Sequence, residues 1–113
     1  MNISERAVEG VMILDLTGRL TLGEPGMALR GKIRGLVQAG RKDILLNLGN
    51  VSYMDSSGIG ELVSAYATVS GQGGRLKLLN LTKKLHELLA ITKLLTVFET
   101  FENENHAMQS FRG

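Results

Sequence analysis

Apolar and polar residues change their rhythm along this chain in a way that marks out strands and helices in alternation. Residues 2–8 and 11–17 flank Glu9-Gly10, a dipeptide suited to a tight turn, and together they predict an antiparallel hairpin. Val11-Met12-Ile13-Leu14-Asp15-Leu16 is apolar at nearly every position, the pattern of a strand covered on both faces. From Pro25 the period lengthens. Leu29, Ile33, Leu36 and Val37 recur at helical spacing, Arg30 and Arg34 turn away, and Gly40 closes the segment. Pro25 suits the first turn of that helix, where a missing N–H costs nothing. Gly31 and Gly35 lie inside it, each weakening it by roughly 0.8–1 kcal/mol relative to Ala, and read as part of a solvent-facing stretch.

Ile44-Leu45-Leu46-Asn47-Leu48 predicts a short buried strand, followed by a loop. Ile59, Leu62, Val63, Tyr66 and Val69 then form an apolar stripe at helical spacing as far as Gly71. Gln72-Gly73-Gly74 breaks that helix, residues 75–79 form the next strand, and residues 83–91 a third helix with Leu85, Leu88 and Leu89 inward. Residues 95–99 read as a last short strand and 102–111 as a closing helix. This order calls for right-handed crossovers between parallel strands. The predicted class is α/β: a mixed sheet of four to five strands with an N-terminal antiparallel hairpin and about four helices.

The 113 residues fit one domain spanning 1–113, with a single core and a radius of gyration of roughly 13 Å. With 43% hydrophobic and 21% charged residues the composition is that of a folded globule, not of a disordered chain. The lack of cysteine excludes disulfides, thiolate metal sites and thiol nucleophiles. No apolar run is long enough to span a bilayer, and the first residues lack the basic-then-apolar order of a signal peptide, so a cytoplasmic location without membrane insertion is expected. The formal net charge of +2 is too small for the electrostatic footprint of duplex binding, so no direct nucleic-acid partner is expected.

Charge is unevenly spread. Between Ile44 and Gly74 only Asp55 and Glu61 are charged. Opposite the apolar stripe, the second helix presents Ser57, Gly60, Glu61, Ser64, Ala65 and Thr68. Such a smooth face suits a docking surface, and equally a helix packed beneath another element of its own chain. At the start of that helix, Met54-Asp55-Ser56-Ser57-Gly58-Ile59-Gly60 has the Asp, Ser and Gly of a turn and cap. A serine hydroxyl there is a candidate cap. It is also a candidate phosphoryl acceptor, because free amides and the helix dipole favour an anion.

Other chemistry finds little support. The residues two before Ser56 and Ser57 are Met54 and Asp55, not the glycine of a nucleophile elbow, and His86 and His106 read as surface residues, so no catalytic residue is expected. Gly71-Gln72-Gly73-Gly74 lacks the Lys-Ser/Thr sequel of a phosphate-binding loop. The basic groups Arg30, Lys32, Arg34, Arg41 and Lys42, and Arg75, Lys77, Lys83 and Lys84, read as solvated faces. No group has metal-ligand spacing, and no cofactor is expected.

Asn47-Leu48, then Val51-Ser52-Tyr53-Met54-Asp55-Ser56-Ser57-Gly58-Ile59-Gly60, then Gly73-Gly74-Arg75-Leu76-Lys77-Leu78 resembles the STAS domain of bacterial anti-sigma factor antagonists. Leu16-Thr17-Gly18-Arg19-Leu20 and Leu94-Leu95-Thr96-Val97-Phe98 extend the likeness over almost the whole chain. The resemblance implies partner switching. The unmodified protein binds an anti-sigma factor that is also a serine kinase and frees the sigma factor; phosphorylation ends the association and a serine phosphatase restores it. The modified residue maps onto Ser56, with Ser57 beside it and Asp55 shaping the loop. The expected contact surface comprises Asp55, Ser57, Gly58, Gly60, Glu61, Ser64, Ala65, Thr68 and, from the loop near that surface, Thr21. Relatives often carry Gly-x-Leu-Asp where this chain has Gly18-Arg19-Leu20-Thr21, which bears on partner identity. The same resemblance admits another role, as an adaptor subunit of a stress-sensing or lipid-transport complex.

Overall fold

Glu9 and Gly10 turn the chain with φ of 50° and 82°, both positive as a type I′ turn requires. The turn sets β1 (Asn2–Val8) antiparallel to β2 (Val11–Leu20) in the computed structural model, which describes residues 1–112. The chain continues through α1 (Glu24–Gln38), β3 (Asp43–Met54), α2 (Ser56–Gly71), β4 (Arg75–Leu79), α3 (Lys83–Ile91), β5 (Thr100–Phe101) and α4 (Glu104–Arg112). The strands form one sheet in the order β1-β2-β3-β4-β5, parallel from β2 onward. The α/β class, the hairpin, the five strands and the four helices agree with the sequence reading, and the radius of gyration is 12.7 Å.

Alternation along the central strands divides the interior in two. Met12, Leu14, Leu16, Ile44, Leu46, Leu76 and Leu78 face α1, α2 and α3. Val11, Ile13, Leu45 and Leu79 face α4, which supplies Ala107, Met108 and Phe111. Burial on both faces explains why β2 and β3 read as nearly continuous apolar runs.

Three boundaries differ from expectation. First, β3 does not stop at Leu48. It runs on to Met54 beside the end of β2, with register shifts between Asp15 and Thr17 and between Gly18 and Arg19. These irregularities change the phase of the pleat, so Leu48, Val51 and Met54 all enter the same core and no alternation marks the strand. Second, residues 95–99 form no strand. Leu94 donates its N–H to Leu89 and Val97 to Leu94, closing turns that drop Phe98 into the core, its ring edge-on to Tyr66 at 5.4 Å. The strand is the short β5 that follows. Third, the closing helix starts at Glu104, where the Asn103 side chain accepts the His106 N–H at 3.2 Å.

Lys77 also departs from its expected solvated position. It is 4% exposed, on the α4 side of the sheet, where its ammonium donates to Ser110 Oγ at 2.9 Å, pairs with Glu99 at 3.2 Å and sits over the Phe111 ring at 4.6 Å. Beside it Arg75 pairs with Asp43 at 3.1 Å and donates to the Phe111 carbonyl at 2.6 Å. Both cations hold the end of α4 to the sheet. At the far edge β1 is largely exposed, with Glu5 paired to Lys32 at 3.4 Å and Arg6 bridging Asp15 at 2.6 Å and Glu104 at 2.8 Å. Arg6 holds the Asp15 carboxyl below its ordinary range, burial works the other way, and Asn47 adds a hydrogen bond at 2.8 Å.

Candidate functional site at the start of helix α2

The bulged end of β3 delivers the chain to Asp55, whose extended backbone (φ −100°, ψ −176°) makes it the N-cap of α2. Its Oδ1 accepts the Gly58 N–H at 2.9 Å and its Oδ2 accepts the Leu22 N–H at 3.4 Å. One carboxylate therefore ends the orphan state of a helix amide and ties down the loop between β2 and α1. The cap is the aspartate and not a serine. Ser56, the first residue of α2, is exposed, and Ser57 is half-buried.

Gly58 is buried where α2 crosses the end of β2. A Cβ there would overlap the Leu20 carbonyl oxygen and stand 2.6 Å from Met54 Cγ, so only glycine permits this approach. Thr21, half-buried, lies in the same β2–α1 connection. Leu22 and Met27, from that connection and the first turn of α1, are 78% and 65% exposed. Composition gives no hint of these two apolar residues; the available signal is a Leu directly before Gly23 in a turn.

The small-residue face of α2 is split. Ala65 is 5% exposed and Glu61 pairs with Arg30, whose Nε also donates to its carboxylate at 3.3 Å. Glu61, Ser64, Ala65 and Thr68 line the crevice against α1 with Ile33 and Arg34. Part of the expected docking face is thus an internal helix contact, the other of the two possibilities its composition allows. Gly26 belongs to the same contact, since a Cβ there would stand 3.1 Å from Glu61 Cγ. Gly60 and Ser64 remain exposed, as do Ala67 and Val63; the last is 36% exposed although the stripe placed it inward. Arg30 also compensates Glu61, which leaves Asp55 as the acidic neighbour of Ser56 without a cationic partner among the described residues. The face that emerges runs from Leu22 across Ser56 and Gly60 to Val63, Ser64 and Ala67.

No cluster of three or more His, Cys, Asp or Glu among the described residues is arranged to hold a metal ion. Among the described residues no helix is long and apolar enough to cross a membrane.

The STAS domain model matches residues 2–107, nearly the whole chain. The chain belongs to the STAS domain family. Among its relatives, the anti-sigma-B factor antagonist of Bacillus subtilis is 33% identical over 99 residues, covering 88% of this chain and 89% of the relative. The unphosphorylated form of the anti-sigma factor antagonist SpoIIAA superposes with a TM-score of 0.75 at 22% identity, covering 99% of both chains. The phosphorylated form of the Bacillus cell fate determinant SpoIIAA gives 0.76 at 21% identity, covering 97% of this chain and 99% of that one. As a STAS domain, this protein has relatives named for regulation of sigma factors, and the likeness to SpoIIAA is one of fold.

Proposed function

We propose that this STAS domain is an anti-sigma factor antagonist that works by partner switching. In its unmodified form it binds an anti-sigma factor that is also a serine kinase, through the exposed face around Ser56. Phosphorylation of Ser56 ends that association, and a serine phosphatase restores it. The observation that carries this reading is the division of labour at the start of α2: Asp55 caps the helix, so the exposed Ser56 hydroxyl is free to be esterified without loss of the cap.

The physical account follows from charge. A phosphoserine carries roughly −1.5 to −2 charges at neutral pH. Its place in the first turn lets the helix dipole offset part of that charge, so the fold tolerates it. In a complex the same group must be desolvated beside the Asp55 carboxylate, on a face otherwise made of small and apolar residues. Asp55, Ser57, Gly58 and Thr21 position the serine and its loop. Gly60 and Ser64 extend the contact surface outward, whereas Glu61, Ala65 and Thr68 support it from the α1 side.

The reading is tested by incubating the purified protein with candidate anti-sigma kinases and ATP, then mapping the added phosphate by intact mass and peptide fragmentation. Ser56→Asp is expected to weaken kinase binding at least about tenfold, which is about 1.4 kcal/mol, with little change in melting temperature. Ser56→Ala is expected to bind and to resist release by ATP. Equal binding by Ser56→Asp and the unmodified protein would overturn the charge argument.

A further inference from the structure

Beyond the face around Ser56, the molecule carries a half-finished edge. β4 ends at Leu79, opposite Asn47, so residues 48–54 of β3 have β2 on one side and no strand on the other. On the open side β3 faces α3 across a groove of about 630 Å³. Val51, Tyr53 and Met54 form one wall and Leu85, Leu88 and Ile91 the other. This volume lies within the roughly 300–1,000 Å³ typical of ligand sites. Tyr53 and Ile91, 50% and 78% exposed, leave apolar surface at its mouth.

The rim is charged in one sense. Lys83 and Lys84 stand at the N-terminal end of α3, where the helix dipole adds to their positive charge, and Glu87 is the one carboxylate lining the groove. Among the described residues neither ammonium lies within ion-pair distance of a carboxylate. The helix cap itself is occupied, since Thr82 Oγ1 accepts the Leu85 N–H at 3.2 Å. A strand edge without a neighbour, an apolar wall beside it and a basic rim together match one kind of occupant, a chain that pairs through its backbone and brings its own negative charge.

The geometry points to a docking site for an extended peptide segment of a partner protein. The segment adds a strand along residues 51–54, places alternate apolar side chains in the groove and directs an acidic residue to Lys83 and Lys84. About four paired residues, roughly 13 Å of strand, match residues 51–54. The site is distinct from the Ser56 hydroxyl but adjoins it, because Met54 lines the groove and also lies beneath Gly58.

The test uses the whole, isotope-labelled chain and a set of synthetic hexapeptides alternating Val or Leu with Asp or Glu. Expected are amide shifts confined to residues 51–54 and α3, with slowed hydrogen exchange at 51–54 on binding. The double variant Lys83→Glu/Lys84→Glu is expected to weaken the interaction about tenfold, as reversal of two exposed pairs implies, without loss of melting temperature. Peptides with lysine in place of the acidic residues are expected not to bind. Absence of shifts at millimolar peptide, shifts elsewhere only, or equal binding by peptides N-methylated along the pairing edge would overturn the proposal. So would a response of the same residues to decanoate alone, which would make the groove a site for amphiphiles.

Discussion

Gly58 and Asp55 at the start of α2, and Asp15 on β2, carry separate duties, and each is open to substitution. Gly58 has no room for a Cβ, so Gly58→Ala must push the Leu20 carbonyl or Met54 aside. A cost of roughly 1–3 kcal/mol is expected for such overpacking. For a domain of this size that lowers the melting temperature by several degrees, readable by calorimetry. Asp55→Ala removes the cap and is expected to cost about 1 kcal/mol. It also frees the Leu22 amide, so hydrogen exchange at Leu22 should accelerate with that at Gly58. Asp15 supplies a pH signature. Arg6 makes its carboxyl harder to protonate in the folded chain than in the unfolded one. The stabilisation is therefore complete above about pH 4 and is lost as the pH falls through the lower folded-state value. Asp15→Asn is expected to flatten that limb of an acid-denaturation profile; an unchanged limb would show that the Arg6 pair contributes nothing.

Among the elements, those bounded by glycine and a clean period were legible in the sequence. The β1–β2 hairpin followed from Glu9-Gly10, and β4 and α3 from the Gly73-Gly74 break and the Leu85, Leu89 spacing. What stayed hidden arose from tertiary contacts. The second half of β3 has no alternation because the register shifts rotate its pleat, and the apolar residues 95–99 fill a core through turns. The small-residue face of α2 was visible, but which residues lie under α1 was not; Ala65 and Gly60 look alike in sequence, yet the first is buried beside α1 and the second is exposed. Likewise Asp55 and Ser56 are both acceptable caps, and only the extended backbone at Asp55 decides between them. At this scale α4 gives a further prediction. Phe111 is buried beneath Arg75 and Lys77, so Phe111→Ala is expected to cost roughly 3 kcal/mol and to raise proteolytic cleavage within α4 first.

For the molecule as a whole, the two faces of the sheet divide the labour. α1, α2 and α3 cover the side that leads to Ser56, and α4 seals the other, well away from it. A phosphate at Ser56 therefore adds charge where no core residue must move, and a proteolysis profile of the phosphorylated domain is expected to match that of the unmodified one. The outer border of the sheet has its own consequence. A bare, greasy margin of this kind would let one copy zip onto the next and grow into fibrils. Glu5 and Arg6, tied to Lys32, Asp15 and Glu104, instead post a fence of fixed charge along β1, and the stubby β5 offers a neighbour almost nothing to grip. Protection of that edge thus rests on a few surface ion pairs whose worth to folding is small.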